Sequence, residues 1–355
     1  MTEYKPWKLT DLERVPKNGL KVMSTFSCGG GSSMGYKLNG FDVIAANDID
    51  PQMAEHYREN LHPQQLFECP IGDLVGRARE KNLPEELYAL DILDGSPPCS
   101  SFSMAGNRER DWNKNKKFRE GQAEQVLSDL FFEYLDLVAE LRPRVCVAEN
   151  VRGMLAGNAK GYTRAIVARF RKIGYKVQVF LVNAADCGVP QKRYRVFFIA
   201  QRNDQNFPPL VLNPQSVHIS CNEALVGLAP ATREQLAAAT PKDPRSKLLQ
   251  WWGRTLPGDN FAKTREAAGT GSSFFNHTRI DPTKPCCTIP AKAVTWHWSD
   301  PRCLTVGERL RLQSFPDDYW TKTPARGAYL VGMSVPPYMM RAVSAAIYEQ
   351  WLARK

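Results

Sequence analysis

The chain has 355 residues, which is enough for one large domain or for a large domain with a small one. Hydrophobic residues make up 43% and charged residues 24%, which is ordinary for a globular enzyme. The formal net charge of +10 favours a polyanionic partner such as nucleic acid, because contacts with phosphates release counterions. No apolar run is long enough for a membrane span and no secretory signal is recognisable at the N-terminus, so we expect a cytoplasmic protein.

The nine cysteines do not indicate a disulfide scaffold, because their number is odd and cytosolic thiols stay reduced. There is no Cys-x-x-Cys pair, and Cys286-Cys287 with His277 and His297 has no recognisable ligand spacing. We therefore expect no metal site. The open question is which cysteine is reactive.

The first 200 residues alternate short apolar runs with amphipathic stretches, which indicates a parallel, doubly wound α/β sheet. Predicted strands cover Lys21–Phe26, Asp42–Ala46, Ala89–Asp94, Val145–Ala148, Lys176–Val182 and Val196–Ala200. Predicted helices between them cover Pro51–Leu61, Ala123–Leu141 and Gly161–Ile173. In such sheets ligands bind at the carboxyl ends of the strands.

The alternation stops after Gln201, where about ninety irregular residues rich in Pro, Gly, Ser and Thr follow. A last helix is predicted over Pro336–Ala353 from its apolar spacing. We therefore predict an N-terminal tail at 1–19, a discontinuous large domain at 20–200 and 300–355, and a small irregular domain at 201–299.

A glycine-rich loop spans Phe26–Gly35, directly after the first strand and before a helix. Glycines allow the backbone to approach a ligand closely, and a helix N-terminus offers free N–H groups. Asp48 follows the second strand, where a carboxylate can accept both hydroxyls of a ribose, and Asp73 can accept from an adenine amino group. Asp50 precedes Pro51 and is interpreted as a helix cap. These features predict a nucleoside-containing cofactor, and the position of the third glycine makes NAD the weaker choice.

Cys99 follows two prolines at the carboxyl end of a predicted central strand. The prolines stiffen the chain, and a thiol held there can face a substrate. A buried structural cysteine is the usual alternative. The position and the two prolines favour a nucleophile.

The segment PPCSSFSMAG, together with the glycine loop, resembles the DNA cytosine-5 methyltransferases. Four further segments follow in that family's order: Glu149–Val151, Gln191–Arg195, Pro301–Tyr319 and Leu330–Pro337. The resemblance covers nearly the whole chain except the N-terminal tail and residues about 201–285. It implies a Rossmann-like, S-adenosylmethionine-dependent methyltransferase fold in which the irregular region is a target-recognition domain.

The resemblance also implies roles for single residues. Cys99 would add to carbon 6 of cytosine, and Glu149 would donate to ring nitrogen 3. Arg193 would bind the carbonyl oxygen of the base, and Arg195 would support the nucleophile and its neighbours. The residues expected to bind S-adenosylmethionine are Phe26, Gly30, Gly31, Asp48, Ile49, Asp73, Leu74 and Ser334.

The expected partner is double-stranded DNA, from which the target base must be rotated out of the stack. The segment Asn107–Gly121 resembles the family's mobile loop, and Ala268–Arg279 is our candidate recognition loop. A monomer is expected, in a prokaryotic cell or encoded by a phage, with a restriction endonuclease acting separately.

Three positions depart from the family pattern. Cys28 stands at the first glycine of the loop, Ser100 stands where Gln is common, and Met333 stands where most members have Asn. Because the Met333 segment is expected to lie against the cofactor, a modified methyl donor is one alternative. The others are a tRNA cytosine methyltransferase, although its Cys-Phe-Thr segment is absent, and a catalytically silent DNA-binding homologue, although Cys99, Glu149 and Arg193 are all present.

Overall fold

The computed structural model describes residues 4–98, 130–157, 159–213, 217–271, 273–292 and 294–353, together with the backbone of 115–116 and 125–126. Seven strands form the main sheet: β1 (Lys21–Thr25), β2 (Asp42–Asn47), β3 (Gln65–Phe67), β4 (Ile92–Gly95), β7 (Val145–Val151), β8 (Tyr175–Asn183) and β9 (Tyr194–Arg202). Two short pairs are separate, β5 (Asn115–Lys116) with β6 (Gln125–Val126) and β10 (Thr278–Arg279) with β11 (Thr295–Trp296).

The strand order of the main sheet is β3-β2-β1-β4-β7-β9-β8. The pairs from β3 to β7 are parallel, whereas β9 runs antiparallel to both β7 and β8. The chain winds outward from β1 in one direction and from β4 in the other. The predicted fold class, a doubly wound and mostly parallel α/β sheet, is confirmed, and the reversal of order lies between β1 and β4.

The helices that flank or follow this sheet are α1 (Gly31–Lys37), α2 (Pro51–Leu61), α3 (Ile71–Arg79), α4 (Leu130–Leu141), α5 (Ala159–Lys172) and α12 (Pro337–Ile347). The bounds of α2 are those that the sequence predicts. Asp50 begins it, because its side chain accepts from the backbone N–H of Gln52 at 2.9 Å and Pro51 occupies the first helical position. The interpretation of Asp50 as a cap is confirmed.

Three predicted elements differ from the observed ones. Of the range Ala123–Leu141, predicted as a helix, Leu130–Leu141 is helical and Gln125–Val126 is a strand, while 123–124 and 127–129 lie outside the described residues. The strand predicted over Ala89–Asp94 begins only at Ile92. The side chain of Asp91, just before it, accepts from the backbone N–H of Lys21 and forms an ion pair with Arg144. The C-terminal helix changes to a π-helical turn at Tyr348–Leu352.

The main core lies where α3 and α4 pack against the sheet. Leu74, Leu93, Phe131, Tyr134 and Leu135 are almost completely buried there. Burial of each such side chain contributes about 1.5–3 kcal/mol relative to exposure, so this layer fixes the strand ends that follow β1, β2 and β4.

The chain divides into two compact units. One comprises Arg14–Asn183, Tyr194–Asn213 and Met340–Lys355, and contains the main sheet. The other comprises Met1–Glu13, Ala184–Arg193 and Pro214–Met339. We call them the sheet unit and the second unit; the domain boundaries predicted from the sequence stay a prediction.

The second unit is built from short helices and an aromatic cluster. Its helices are α6 (Cys221–Leu225), α7 (Arg233–Ala239), α8 (Lys247–Arg254), α9 (Phe261–Ala267), α10 (Val306–Leu312) and α11 (Pro324–Met333). A separate buried cluster in this unit consists of Trp251, Phe261, Trp296 and Cys303.

In the described part of the chain, no helix combines the length and apolarity that crossing a membrane requires.

Candidate active site

The glycine loop follows β1 and has an unusual backbone. Phe26, Cys28 and Gly30 have φ angles of 52°, 47° and 79°, all in the left-handed region. Gly30 is buried, and a Cβ atom there would lie 2.2 Å from Cδ1 of Leu61. The close turn therefore requires glycine at position 30, whereas Cys28 adopts a conformation that costs a side-chain-bearing residue free energy.

Asp48 lies at the carboxyl end of β2, beside this loop. Its Oδ2 accepts from the N–H of Cys28 at 2.7 Å, and its Oδ1 accepts from the N–H of Asp50 at 2.8 Å. These two bonds fix the carboxylate, which has further lone pairs for other donors. Ile49 and Phe26 are partly exposed, and Gly31 begins α1.

Asp73 and Leu74 occupy the first turn of α3, after β3. The side chain of Asp73 is exposed and Leu74 is completely buried. The sheet unit therefore contains seven of the eight residues predicted to bind the cofactor, which follow the ends of β1, β2 and β3.

The segment after β4 leads to the predicted nucleophile. Asn150 Nδ2 donates to the carbonyl of Pro97 at 3.0 Å, and a Cβ atom on Gly95 would lie 2.6 Å from Oγ1 of Thr25. The chain is thus fixed as far as Pro98. Cys99 and Ser100 lie outside the described residues.

Glu149 and Arg195 form a buried ion pair on adjacent strands. Glu149 is 8% exposed near the carboxyl end of β7, and its Oε1 lies 2.8 Å from Nε of Arg195 on β9. Burial lowers the pKa of Arg195, and the neighbouring Glu149 counteracts that effect. The guanidinium also donates to the carbonyl of Tyr194 at 2.8 Å. The sequence motifs predict that both residues belong to the active site, but they do not show that the two side chains pair.

Arg193 has different partners. It is 2% exposed, and its guanidinium donates to the backbone carbonyls of Ile289 at 3.2 Å, Gly332 at 2.9 Å and Ser334 at 3.2 Å. These partners belong to the second unit, as does Arg193 itself. Arg193 therefore joins three backbone segments, and Ser334, the eighth predicted cofactor residue, lies among them.

The predicted recognition loop includes two neighbouring phenylalanines in different environments. Phe274 has a φ of 69° and packs against Arg265, whose guanidinium carbon is 5.5 Å from the ring centroid. Phe275 is 63% exposed. Apart from the backbone of Asn115–Lys116, the predicted mobile loop Asn107–Gly121 lies outside the described residues.

Of the residues that depart from the family pattern, Met333 is 43% exposed at the end of α11. Gly332 beside it has no room for a side chain, because a Cβ atom would lie 2.1 Å from the backbone nitrogen of Ala291.

Within the described residues, no group of three His, Cys, Asp or Glu side chains is arranged to hold a metal ion.

Comparison with known structures identifies the class of fold. A crystal structure of a prophage-encoded Escherichia coli protein, assigned as a DNA modification methyltransferase, matches with a TM-score of 0.69 at 22% sequence identity. The match covers 94% of this chain and 99% of that one. The fold is therefore that of the Rossmann-like α/β methyltransferases.

Sequence comparison identifies the family. Residues 20–349 match the family model of the C-5 cytosine-specific DNA methylases. The Type II methyltransferase M.NgoPII of Neisseria gonorrhoeae is 34% identical over 347 residues, which cover 93% of this chain and 96% of that protein. The Type II methyltransferase M1.HphI of Haemophilus parahaemolyticus is 28% identical over 344 residues, covering 92% and 86% respectively. The chain belongs to the C-5 cytosine-specific DNA methylase family and is a DNA methyltransferase, as its motifs predict.

Proposed function

We propose that this enzyme transfers a methyl group from S-adenosylmethionine to carbon 5 of cytosine in double-stranded DNA, through a covalent adduct on Cys99. Beyond family membership, the observation that carries the proposal is the buried pair of Glu149 and Arg195 at the carboxyl end of β7. A carboxylate and a guanidinium side by side offer an acceptor and donors for one edge of a cytosine ring.

The residues at the ends of β1 to β3 fit the proposed methyl donor. The fixed carboxylate of Asp48 suits the two ribose hydroxyls, and the exposed carboxylate of Asp73 suits an exocyclic amino group. The buried Gly30, with a φ of 79°, lets the loop pack its backbone closely against Leu61 and Tyr57 of α2, which holds the loop beside Asp48. S-adenosylmethionine supplies a methyl group on a positively charged sulfur.

Cys99 starts the proposed reaction. Its thiolate forms a bond to carbon 6 of the ring, and the electron pair of the carbon 5–carbon 6 double bond becomes available to take the methyl group at carbon 5. The proton on carbon 5 is then lost to solvent and the sulfur–carbon bond breaks, which restores the ring. Pro97, Pro98 and the bond from Asn150 to Pro97 stiffen the chain ahead of the thiol.

Glu149 and Arg195 act on the opposite edge of the ring. Negative charge develops at ring nitrogen 3 when the thiolate adds. Glu149 takes up a proton from solvent as the base binds, donates it to that nitrogen, and takes it back when the sulfur–carbon bond breaks. Arg195 holds the carboxylate in position and offers N–H groups to the adjacent carbonyl oxygen. This assignment gives Arg195 the contact with the base that the resemblance alone suggested for Arg193, because Arg195 is the partner of Glu149. Arg193 joins the segments that contain Ile289, Gly332 and Ser334.

DNA enters this proposal as the family's substrate and as a fit to the formal charge of +10. The cytosine must leave the stack at a cost of roughly a few kcal/mol, which Asn107–Gly121 and Ala268–Arg279 are proposed to offset by binding DNA. Because several relatives are named Type II methyltransferases, we propose a restriction-modification role in the cytoplasm of a bacterium or phage-infected cell, as a monomer beside a separate endonuclease.

The test is turnover of plasmid DNA and of tRNA by the purified protein, followed by mass spectrometry of the nucleosides. The proposal predicts 5-methylcytosine in DNA alone, and loss of that product in Cys99→Ser and Glu149→Gln with DNA binding retained. A modified cytosine nucleoside heavier than that of 5-methylcytosine would identify a modified methyl donor. Product in tRNA alone, or product formed by Cys99→Ser, would contradict the proposal.

A further inference from the structure

Asp94, on β4, is a buried carboxyl group to which the sequence motifs assign no role. It is 1% exposed. Its Oδ2 accepts from Oγ of Ser32 at 2.7 Å and from Oγ of Ser24 at 2.9 Å, and its Oδ1 accepts from the hydroxyl of Tyr36 at 3.3 Å. Three hydroxyl donors on one buried carboxyl are typical of a group held in place as an anion.

The position of Asp94 gives these bonds a functional meaning. Asp94 pairs with Ser24 in the register of β4 against β1, at the point where the strand order of the sheet reverses. The strand β1 leads into the glycine loop, and Ser32 lies in the first turn of the helix behind that loop. Five residues beyond Asp94 is Cys99. The carboxyl group thus ties the loop proposed to bind the donor to the strand that precedes the proposed nucleophile.

The charge on Asp94 changes near neutral pH. The pKa of Asp94 is raised to about 7, because the effect of burial, with a smaller one from the charge of Glu149, outweighs the lowering by the three hydroxyl donors. Ionisable groups act on it from α1, α2, α4 and β7: Tyr36, Tyr57, Tyr134 and Glu149. Burial raises the pKa values of the three tyrosines, so these groups stay neutral at pH 7. Among these groups Glu149 and Asp94 supply negative charge, and the charge of Glu149 is paired with that of Arg195 on β9.

We propose that the carboxylate of Asp94 makes the enzyme favour the positively charged methyl donor over the uncharged product left after transfer. This inference rests on the proposed function, in which the donor is S-adenosylmethionine. Methyl transfer turns a sulfonium cation into a neutral thioether, so a buried anion at the carboxyl ends of β1 and β4 attracts the first and not the second. As an order of magnitude, two unit charges about 10 Å apart at an effective dielectric constant of about 20 change an affinity by roughly tenfold, which is the size of effect that we expect.

The test compares the dissociation constants of S-adenosylmethionine and S-adenosylhomocysteine by calorimetry with the full chain and no DNA, between pH 5.5 and 8.5. Because both ligands carry the same amino-acid and nucleoside groups, titration of residues that contact those groups cancels in the ratio. We expect the preference for S-adenosylmethionine to rise roughly tenfold with pH, with a midpoint near 7. Asp94→Asn should hold the preference at its low-pH value, since the amide cannot ionise.

Two further variants test whether the pH dependence comes from Asp94. Asp91→Asn removes a carboxylate just before β4 that accepts from the N–H of Lys21 and pairs with Arg144, and it should keep the wild-type rise. Ser32→Ala keeps the carboxyl group but removes a donor that lowers its pKa, so the midpoint should move to higher pH. A preference that is independent of pH in the wild type, or that still rises in Asp94→Asn, would overturn the inference. Failure of the wild type to bind either ligand would instead contradict the proposed function.

Discussion

Nε of Arg195 lies 2.8 Å from Oε1 of Glu149, and the two side chains, 14% and 10% exposed, lie on adjacent antiparallel strands of the sheet. A buried charge is costly unless it is paired, so each residue depends on the other for its stability in this place. The pair lies on β7 and β9, and β7 is the neighbour of β4, the strand that leads to the proposed nucleophile Cys99. Structure and activity are therefore expected to respond together when it is broken.

Arg195→Ala should leave the charge of Glu149 buried without its partner. We expect unfolding free energy to fall by about 3–5 kcal/mol and methylation to be lost. Arg202→Ala is the matched control on the same strand, because its ion pair with Asp204 is more exposed and worth about 0–1 kcal/mol. Urea unfolding and single-turnover methylation measure the two effects. Equal losses in both variants would show that the buried pair has no special role.

The stability of the protein should fall as Asp94 ionises. Its folded-state pKa of about 7 is above the ordinary value of 3.8, so the folded state binds the proton more tightly than the unfolded state does. The stability that this group contributes is complete below pH 4 and is lost as the pH rises through 7. Asp94→Asn removes this dependence, and the difference in unfolding free energy between wild type and variant should shift by a few kcal/mol in the variant's favour from pH 5 to pH 8. A difference that does not vary with pH would contradict the buried ionisation.

Gly30→Ala should disturb the loop for two reasons that can be separated. The new Cβ would lie 2.2 Å from Cδ1 of Leu61, and φ at this position is 79°. Adding Leu61→Ala removes the closest collision, but Tyr57 would still lie 3.1 Å from the new atom, and the backbone cost of about 1–2 kcal/mol would remain. We therefore expect S-adenosylmethionine binding, measured by calorimetry, to be lost in the single variant and only partly restored in the double one.

The control for this prediction is Gly307→Ala in α10, where nothing lies within 4 Å of the added atom. It should leave binding unchanged and raise stability by about 0.5–1 kcal/mol, since alanine favours helix. Full binding by Gly30→Ala would show that the loop does not need its turn.

The two phenylalanines of the predicted recognition loop should separate stability from DNA binding. Phe274→Ala removes a ring that packs against Arg265 and against the buried cluster of the second unit that contains Trp251 and Trp296. It should therefore lower the melting temperature. Phe275→Ala removes an exposed ring and should leave the melting temperature unchanged while weakening DNA binding about tenfold in a fluorescence anisotropy titration. If Phe275→Ala binds DNA as the wild type does, this loop does not contact DNA through that ring.

Six of the seven strands of the main sheet could be predicted, because they form apolar runs, whereas the three-residue strand β3 (Gln65–Phe67) is too short to give a pattern. The cap at Asp50 and the bounds of α2 follow from local residue types alone. The start of β4 did not, because Asp91 bonds to Lys21 and Arg144, which are 70 and 53 residues away. Long-range partners of this kind leave no periodic signal.

The same limit applies to the site. The family motifs indicate Glu149, Arg193 and Arg195 as a group, but only the structure shows that Arg195 pairs with Glu149 while Arg193 bonds to backbone carbonyls. Asp94 had a signal in the sequence, an acidic residue inside an apolar run. Its meaning depends on Ser24 and Ser32, which reach it only in the folded sheet.

The most direct test of the account is covalent trapping on Cys99. Bisulfite sequencing of DNA from an expressing strain first identifies the target, and a duplex with 5-fluorocytosine at that position is then incubated with the protein and S-adenosylmethionine. Fluorine cannot leave carbon 5 as a proton does, so the account predicts a denaturation-resistant complex whose cross-linked peptide contains Cys99. Absence of any complex, or attachment through another residue, would contradict it.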